Sequence, residues 1–318
     1  MNILLIGATG QIGFSLAQRL AGSEHQLTVL VRHSAALGFK SNVRIIAAEQ
    51  FDQDTFKTAL QGQELVIYGI GLPEQFVQDA DTFDRINHQL FATFLKALAS
   101  TGIKRLIYIS TYEVFEAKSG VIQESNPVAN PAALSPYFAA MTRSFQLAQT
   151  TAKQSQIALT TIHPAAVYGG RNTGDGITHF IENILERRYL KIPTILKGNF
   201  PIVHADSLAD AIVRSINHTG SFIVSEGMTS LKTLALEVRS QEPKTFIPPS
   251  VPKWMAYLTI GLLEAIAKVF KHRPILSVSQ LDFITKGDEP KADQAIDVLG
   301  WQPLSHRSGV ARYLVDRR

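Results

Sequence analysis

The chain has 318 residues, 45% hydrophobic and 18% charged, with 31 basic and 27 acidic side chains for a net charge of +4. That is an ordinary globular composition, long enough for one large domain or two closely joined ones, and with no basic stripe it gives no reason to expect a nucleic-acid partner. There is no cysteine, which excludes disulfides, thiol catalysis and cysteine-based zinc sites; no metal centre is expected.

Met1 leads straight into Asn2–Ile6, a short apolar run suited to a buried parallel strand. With no basic n-region and no cleavage site ahead of it, no secretory leader is expected, and the expected compartment is cytoplasmic. Gly7-Ala8-Thr9-Gly10-Gln11-Ile12-Gly13 follows at once, and residues 14–23 read as a helix. A strand, a glycine-rich turn and a helix N-terminus make an anion site. Gly7 allows the tight turn, Gly10 admits a pyrophosphate close to the backbone, and Gly13 lets helix and strand pack closely. The spacing is G-x-x-G-x-x-G rather than G-x-G-x-x-G, but it sits in the strand–turn–helix context that dinucleotide binding requires.

Leu27–Val31 is the second strand and ends in Arg32-His33-Ser34. In a dinucleotide fold an acid at this tip bonds the ribose 2′-hydroxyl of NAD, whereas an arginine pairs with the 2′-phosphate of NADP. The chain has no acid at 31–34, so Arg32 favours NADP over NAD. Val43–Ala47 reads as the third strand and residues 54–60 as a helix capped by Asp52 or Asp54. Glu64–Tyr68 is the fourth strand, ending in Gly69-Ile70-Gly71. Residues 79–100 form a long helix with Phe83, Ile86, Leu90, Phe94 and Leu98 at helical spacing. Arg105–Ile109 is the fifth strand, residues 137–154 a helix, and Ala158–Ile162 the sixth strand. This alternation predicts an α/β, Rossmann-type, doubly wound parallel sheet. After residue 168 glycines and prolines thicken. Residues 1–168 plus about 196–225 are therefore assigned to the dinucleotide-binding domain. Residues 169–195 and 226–318 are assigned to a smaller C-terminal lobe over the carboxyl edge of the sheet, where a small-molecule substrate is expected. The most apolar segment is 254–270, interrupted by Glu264 and Lys268 and too short to span a bilayer. It reads either as a packed helix of the substrate lobe or as a surface for a membrane or a lipidic substrate.

Eight pieces in order resemble the extended short-chain dehydrogenase/reductase family, of the NAD-dependent epimerase/dehydratase type. They are the turn at 7–13, Glu49-Gln50-Phe51-Asp52 in place of an Asp-x-x-Asp, Asn87, and Ile109-Ser110-Thr111. They continue with Tyr137, His163-Pro164-Ala165-Ala166-Val167-Tyr168-Gly169, and Val203–Ala211, while Leu299-Gly300-Trp301-Gln302-Pro303 closes the chain as in the family. The resemblance implies that cofactor contacts come from Gly7, Thr9, Gly10, Gln11, Ile12, Gly13, Arg32, His33, Glu49, Gln50, Gly69, Ile70, Gly71, Ser110, Tyr137 and His163-Pro164-Ala165-Ala166. A homodimer stays open. Val251–Trp254, the apolar helix and Arg273-Pro274-Ile275-Leu276 are similar to the tail of 3β-hydroxysteroid-dehydrogenase-like members, whose tails cover apolar substrates.

In the family a Tyr-x-x-x-Lys pair, helped by Ser or Thr, moves a proton to or from a substrate oxygen while hydride passes to or from the nicotinamide. Thr111 and Tyr137 match the first two roles, but the lysine position is Met141. A free tyrosine, with pKa ~10, is phenolate in only about one molecule in a thousand at neutral pH. Without a cation at 141, oxidation by Tyr137 is slowed, whereas reduction still has a neutral tyrosine to donate its proton. Arg143 points elsewhere on an ideal helix; His163 approaches from the end of the sixth strand. Ser110-Thr111-Tyr112-Glu113-Val114 resembles the stretch in nucleotide-sugar dehydratases where the Glu is an acid or base, with Tyr112 where those enzymes have Asp. The leading expectation is an NADP-dependent reductase of a carbonyl on a small organic or lipid-like molecule. Two alternatives remain: a nucleotide-sugar epimerase or dehydratase using Glu113, and a non-catalytic NADP-binding sensor or partner protein, to which Met141 points.

Overall fold

Seven runs of aliphatic and β-branched residues form one parallel sheet in the computed structural model, which describes residues 1–33, 38, 42–73, 79–170, 176–186, 194–195, 198–247, 249–269 and 278–317. The strands are β1 (Asn2–Ile6), β2 (Gln26–Val31), β3 (Arg44–Ala47), β4 (Leu65–Tyr68), β5 (Arg105–Ile109), β6 (Ala158–Pro164) and β7 (Gly220–Val224). Their order across the sheet is β3-β2-β1-β4-β5-β6-β7. Successive residues of β1 point to opposite faces: Ile3 and Leu5 join one core, Leu4 and Ile6 the other. A strand buried on both sides needs such an unbroken apolar run.

Helix α1 (Gln11–Ala21) lies on the first face, where Leu16, Ala17 and Leu20 meet β1 and β2. Helix α2 (Gln53–Leu60) lies on the second face, capped by Asp52, whose carboxylate accepts the Thr55 N–H. Helix α3 is continuous through three stretches: α-helical Ala80–Phe83, π-helical Asp84–Gln89 and α-helical Leu90–Ala99. The sequence reading gave no sign of the π-turn, because the apolar period on either side is unbroken. Helix α4 (Pro136–Ser155) completes the second face.

Beyond β6 the chain leaves the sheet. Ala166–Tyr168 pairs in parallel with Phe200–His204, which pairs antiparallel with Met228–Thr229. The strand at 200–204 thus belongs to a separate three-stranded sheet, although Val203 still enters the core of α1 while Ile202 enters a second core with Phe180 and Tyr313. One strand thus serves two cores. Helix α5 (Gly176–Leu185) precedes it and α6 (Ala205–Arg214) follows; α6 packs on α1 through Leu208, Ala209 and Ile212. Helices α5, α7 (Leu231–Gln241) and α11 (His306–Asp316) share a core of Phe180, Leu234, Val310 and Tyr313. Helices α8 (Lys253–Val269) and α9 (Val278–Lys286) pair through Ala256 and Leu281. Helix α10 (Asp293–Leu299) ends at Gly300, left-handed at φ 61°, and this turn drives Trp301 into the core, where its indole N–H donates to Ser207 O at 3.0 Å. The closing motif therefore anchors the end of the chain to α6. Ser34, Phe270 and Arg273-Pro274-Ile275-Leu276 lie outside the described residues.

Candidate functional site

Register decides where the candidate residues gather. Ile6 is level with Leu30 and Tyr68, Val31 with Ala47, Tyr68 with Tyr108, and Ile109 with Ile162. The segments leaving these strands (Gly7–Gly13, Arg32-His33, Glu49-Gln50, Gly69–Gly71, Ser110–Glu113 and His163–Ala166) therefore line the carboxyl edge. The topological switch lies between β1 and β4, the place where this architecture binds ligands.

The glycine turn is built for close approach. Gly7 has φ 99°, and a Cβ there would stand 2.7 Å from Gly69 O. A Cβ on Gly13 would stand 2.1 Å from Gly7 O, so α1 can rest on the turn only with glycine at this position. Gly10 differs: the nearest atom to its would-be Cβ is Gly7 O at 3.5 Å, an ordinary contact. It leaves open space in front of the N-terminus of α1, and as the N-cap residue it brings no side chain of its own to that end. The Gln11 amide donates to Gly169 O at 2.8 Å, fastening the turn to the segment after β6. A helix N-terminus above a glycine cradle fits the pyrophosphate of a dinucleotide. Arg32, His33, Glu49 and Gln50 are exposed on the β2–β3 side, and Arg32 has no ion pair among the described residues.

The loop after β4 is held by Asn87. Its Oδ1 accepts the Leu72 N–H at 2.6 Å and its Nδ2 donates to Leu72 O at 3.0 Å. The π-turn places this buried amide, and with it fixes the path of Gly69–Gly71. Asn87 stood out in the sequence as a motif residue, but the clamp needs two segments that only folding brings together. Ser144 extends the support, donating to Asn87 O at 2.7 Å and meeting His88 Nδ1 at 3.1 Å.

Thr111 and Tyr137 occupy neighbouring elements. Thr111 ends the extended chain before the short helical turn Tyr112–Val114, and Tyr137 lies in the first turn of α4, half-buried with its ring edge-on to Phe83 at 5.7 Å between centroids. Met141, one turn further along the same face, is buried in the cluster that holds Tyr108 and Phe145. Neither candidate replacement supplies the missing cation. Arg143 is paired with Asp84 at 2.7 Å. His163 is fully buried, with Nδ1 3.0 Å from Thr111 O and Nε2 2.9 Å from Thr161 Oγ1. Burial lowers its pKa to about 4, so it is neutral at pH 7 and positions the Thr111 backbone. The His163 side chain is thus enclosed within the protein, leaving the backbone of 163–166 as the part of this segment open at the edge.

Glu113 is half-buried on the turn beside Tyr112. Tyr112 itself is buried in the apolar core; burial pushes its hydroxyl pKa well above the usual value, and the charges of Glu113 and Asp288 add to the effect. No group of acids and histidines among the described residues is arranged to hold a metal ion.

Residues 3–224 match the NAD dependent epimerase/dehydratase family. An uncharacterised protein of Mycobacterium tuberculosis and one of Mycobacterium bovis are each 30% identical over 111 residues, 35% of this chain. The matched region spans only 12% of those proteins' own length. Among solved structures the chain is similar to gox2253, with a TM-score of 0.80 and 20% identity over 98% of this chain and 96% of that one. MoeE5 in complex with UDP-glucuronic acid and NAD gives a TM-score of 0.78 at 17% identity, covering 100% of both chains. UDP-glucose 4-epimerase of Thermotoga maritima gives 0.76 at 18% identity, over 100% of this chain and 99% of that one. At these identities the likeness is one of fold.

Proposed function

The chain belongs to the NAD dependent epimerase/dehydratase family, and from that premise we propose that it is an NADP-dependent oxidoreductase that reduces a carbonyl on a small organic or lipid-like molecule. The observation that carries this reading is the setting of Tyr137: the family lysine is Met141, buried among apolar side chains, while Arg143 is tied to Asp84 and His163 is neutral. With Met141 in place of the family lysine, no lysine stands one turn along the helix to lower the Tyr137 pKa, which suits the phenol to donating a proton in carbonyl reduction rather than taking one.

The cradle of Gly7, Gly10 and Gly13 with the N-terminus of α1 would hold the pyrophosphate, Arg32 the 2′-phosphate, and Gly69–Gly71 with the backbone of 163–166 the remainder. When bound, the nicotinamide supplies the hydride. Tyr137 donates its phenolic proton to the carbonyl oxygen, and Thr111 orients that oxygen by a hydrogen bond from its hydroxyl. The buried His163, bonded to Thr111 O, holds this threonine in place.

The UDP-sugar enzymes that share the fold support a second reading, nucleotide-sugar epimerisation or dehydration with Glu113 as acid or base. Tyr112 weighs against it, since a buried neutral ring stands where the resembling dehydratases carry a carboxylate. The test is a substrate panel of ketones, aldehydes and UDP-sugars assayed with NADPH and NADH, run on the wild type, Tyr137→Phe and Glu113→Gln. Consumption of NADPH by a carbonyl, lost in Tyr137→Phe and kept in Glu113→Gln, is expected. The opposite pattern on UDP-sugars would establish the second reading, and saturable cofactor binding without turnover on any substrate would refute both.

A further inference from the structure

Helix α8 is amphipathic in the inverted sense: its polar side faces protein and its apolar side faces outward. At 100° per residue, Trp254, Met255, Leu258, Leu262, Leu263 and Ile266 fall on one half of the circumference, with no charged residue between them. All six are exposed, Trp254 to 66%, Leu258 to 69% and Leu262 to 62%. Among the described residues they make up six of the eleven exposed large hydrophobic side chains, so the patch is concentrated on this helix.

The other half of the helix holds the polar groups, and α9 takes them up. Lys253 Nζ donates to Thr285 O at 3.1 Å, Glu264 Oε2 accepts the Val278 N–H at 2.9 Å, and Tyr257 bonds Asp282 and Thr285. Ala256, Tyr257 and Ile260 pack toward Leu281 and Ile284. Phe283 of α9 then joins the pair to the body, packing against the cluster that includes Tyr137 and meeting Phe200 at 5.9 Å. The helix thus packs against protein on one side only.

We propose that α8 lies in the plane of an anionic lipid bilayer, with its outward half sunk among the acyl chains and the protein above it. Seventeen residues give a rod about 25 Å long, and no described helix is long and apolar enough to cross a membrane. An in-plane helix with one predominantly apolar face suits a rod of this length. Charge selects the occupant. Residues 239–269 contain four lysines and arginines against two glutamates, a net positive segment. A second copy docking about a two-fold axis would bring two such positive segments together, whereas an anionic headgroup layer attracts them.

The chain reports on this contact through its own fluorescence. It has two tryptophans, and Trp301 is fully buried, so a change on adding vesicles comes from Trp254. Full-length protein is mixed with vesicles of phosphatidylcholine alone or with phosphatidylglycerol added, and binding is read by flotation and by the Trp254 emission. Co-flotation with the anionic vesicles, a blue shift, and weakening by salt are expected. Leu258→Glu combined with Leu262→Glu should reduce partitioning on the order of a hundredfold, because two large apolar side chains leave the acyl region. Circular dichroism and cofactor binding show that this variant is folded, and Leu258→Met with Leu262→Met, which keeps the face apolar, should bind like the wild type. Failure to float with anionic vesicles, equal binding to neutral ones, or a folded double-glutamate variant that binds as well as the wild type would overturn the proposal. So would a wild-type dimer, seen by sedimentation, that the double variant abolishes while vesicles bind neither protein.

Discussion

Acid should destabilise the fold through His163. The imidazole is fully enclosed between Phe115 and Phe145, with ring centroids 4.8 and 5.0 Å away. Thr111 O can only accept, so Nδ1 carries the proton, while Nε2 lies 2.9 Å from Thr161 Oγ1, whose hydroxyl donates to Ser221 Oγ at 2.9 Å. Burial lowers the pKa from 6.5 to about 4. The folded state therefore binds fewer protons than the unfolded chain between these values. Its stability is complete above pH 6.5 and falls as pH drops through the window. At pH 4 the loss from this residue alone is about 3 kcal/mol, since each pKa unit is worth about 1.4 kcal/mol and half the native imidazoles are already protonated there. His163→Asn removes the titration while its side-chain amide can still donate toward Thr111 O. The variant should be less stable than the wild type near neutrality, because the ring leaves a gap between the two phenylalanines. The difference should shrink or reverse by about pH 4. Urea unfolding of both proteins across that range measures this, with His204, also lowered to about 4 by burial, present in both as common background. Parallel stability–pH curves would refute the reasoning and mean that the His163 environment admits water.

Three further outcomes test the cofactor cradle and the proton donor. Arg32→Ala should weaken NADP(H) binding roughly 10- to 100-fold, the worth of a charge-assisted pair, and leave NAD(H) unchanged, as measured by fluorescence titration; equal wild-type affinities would end the NADP assignment. Gly13→Ala puts a Cβ 2.1 Å from the Gly7 carbonyl, so loss of cofactor binding and a stability drop on the order of 3 kcal/mol are expected by calorimetry. Met141→Lys should restore a cation beside Tyr137, raise cofactor affinity and speed turnover of a generic ketone, with Tyr137→Phe abolishing the gain; tighter binding without turnover would identify a binding protein. If Tyr137→Phe leaves wild-type activity intact, Tyr137 is not the acid.

Six of the seven strands of the main sheet are legible in the sequence, and Gly220–Val224 is the one that is not. Strand and helix signals are local, and six strands, the glycine turn and the helices of the first half follow from apolar period and caps such as Asp52. The same is true of the chemistry at Met141, where the absence of a cation needs no coordinates. Tertiary structure decided which groups meet. The amide of Asn87 reaches Leu72 across a π-turn that the apolar pattern conceals. His163 reads as a candidate at a strand end, yet the pleat turns its ring into the protein, where burial makes it neutral. The strand at 200–204 carries the right pattern for the main sheet but pairs elsewhere, because pairing depends on partners distant in sequence. The apolar run at 254–270 shows the limit most clearly. Hydrophobicity is a property of the residues, but whether a face is covered depends on what packs against it, and α9 covers only one side of α8.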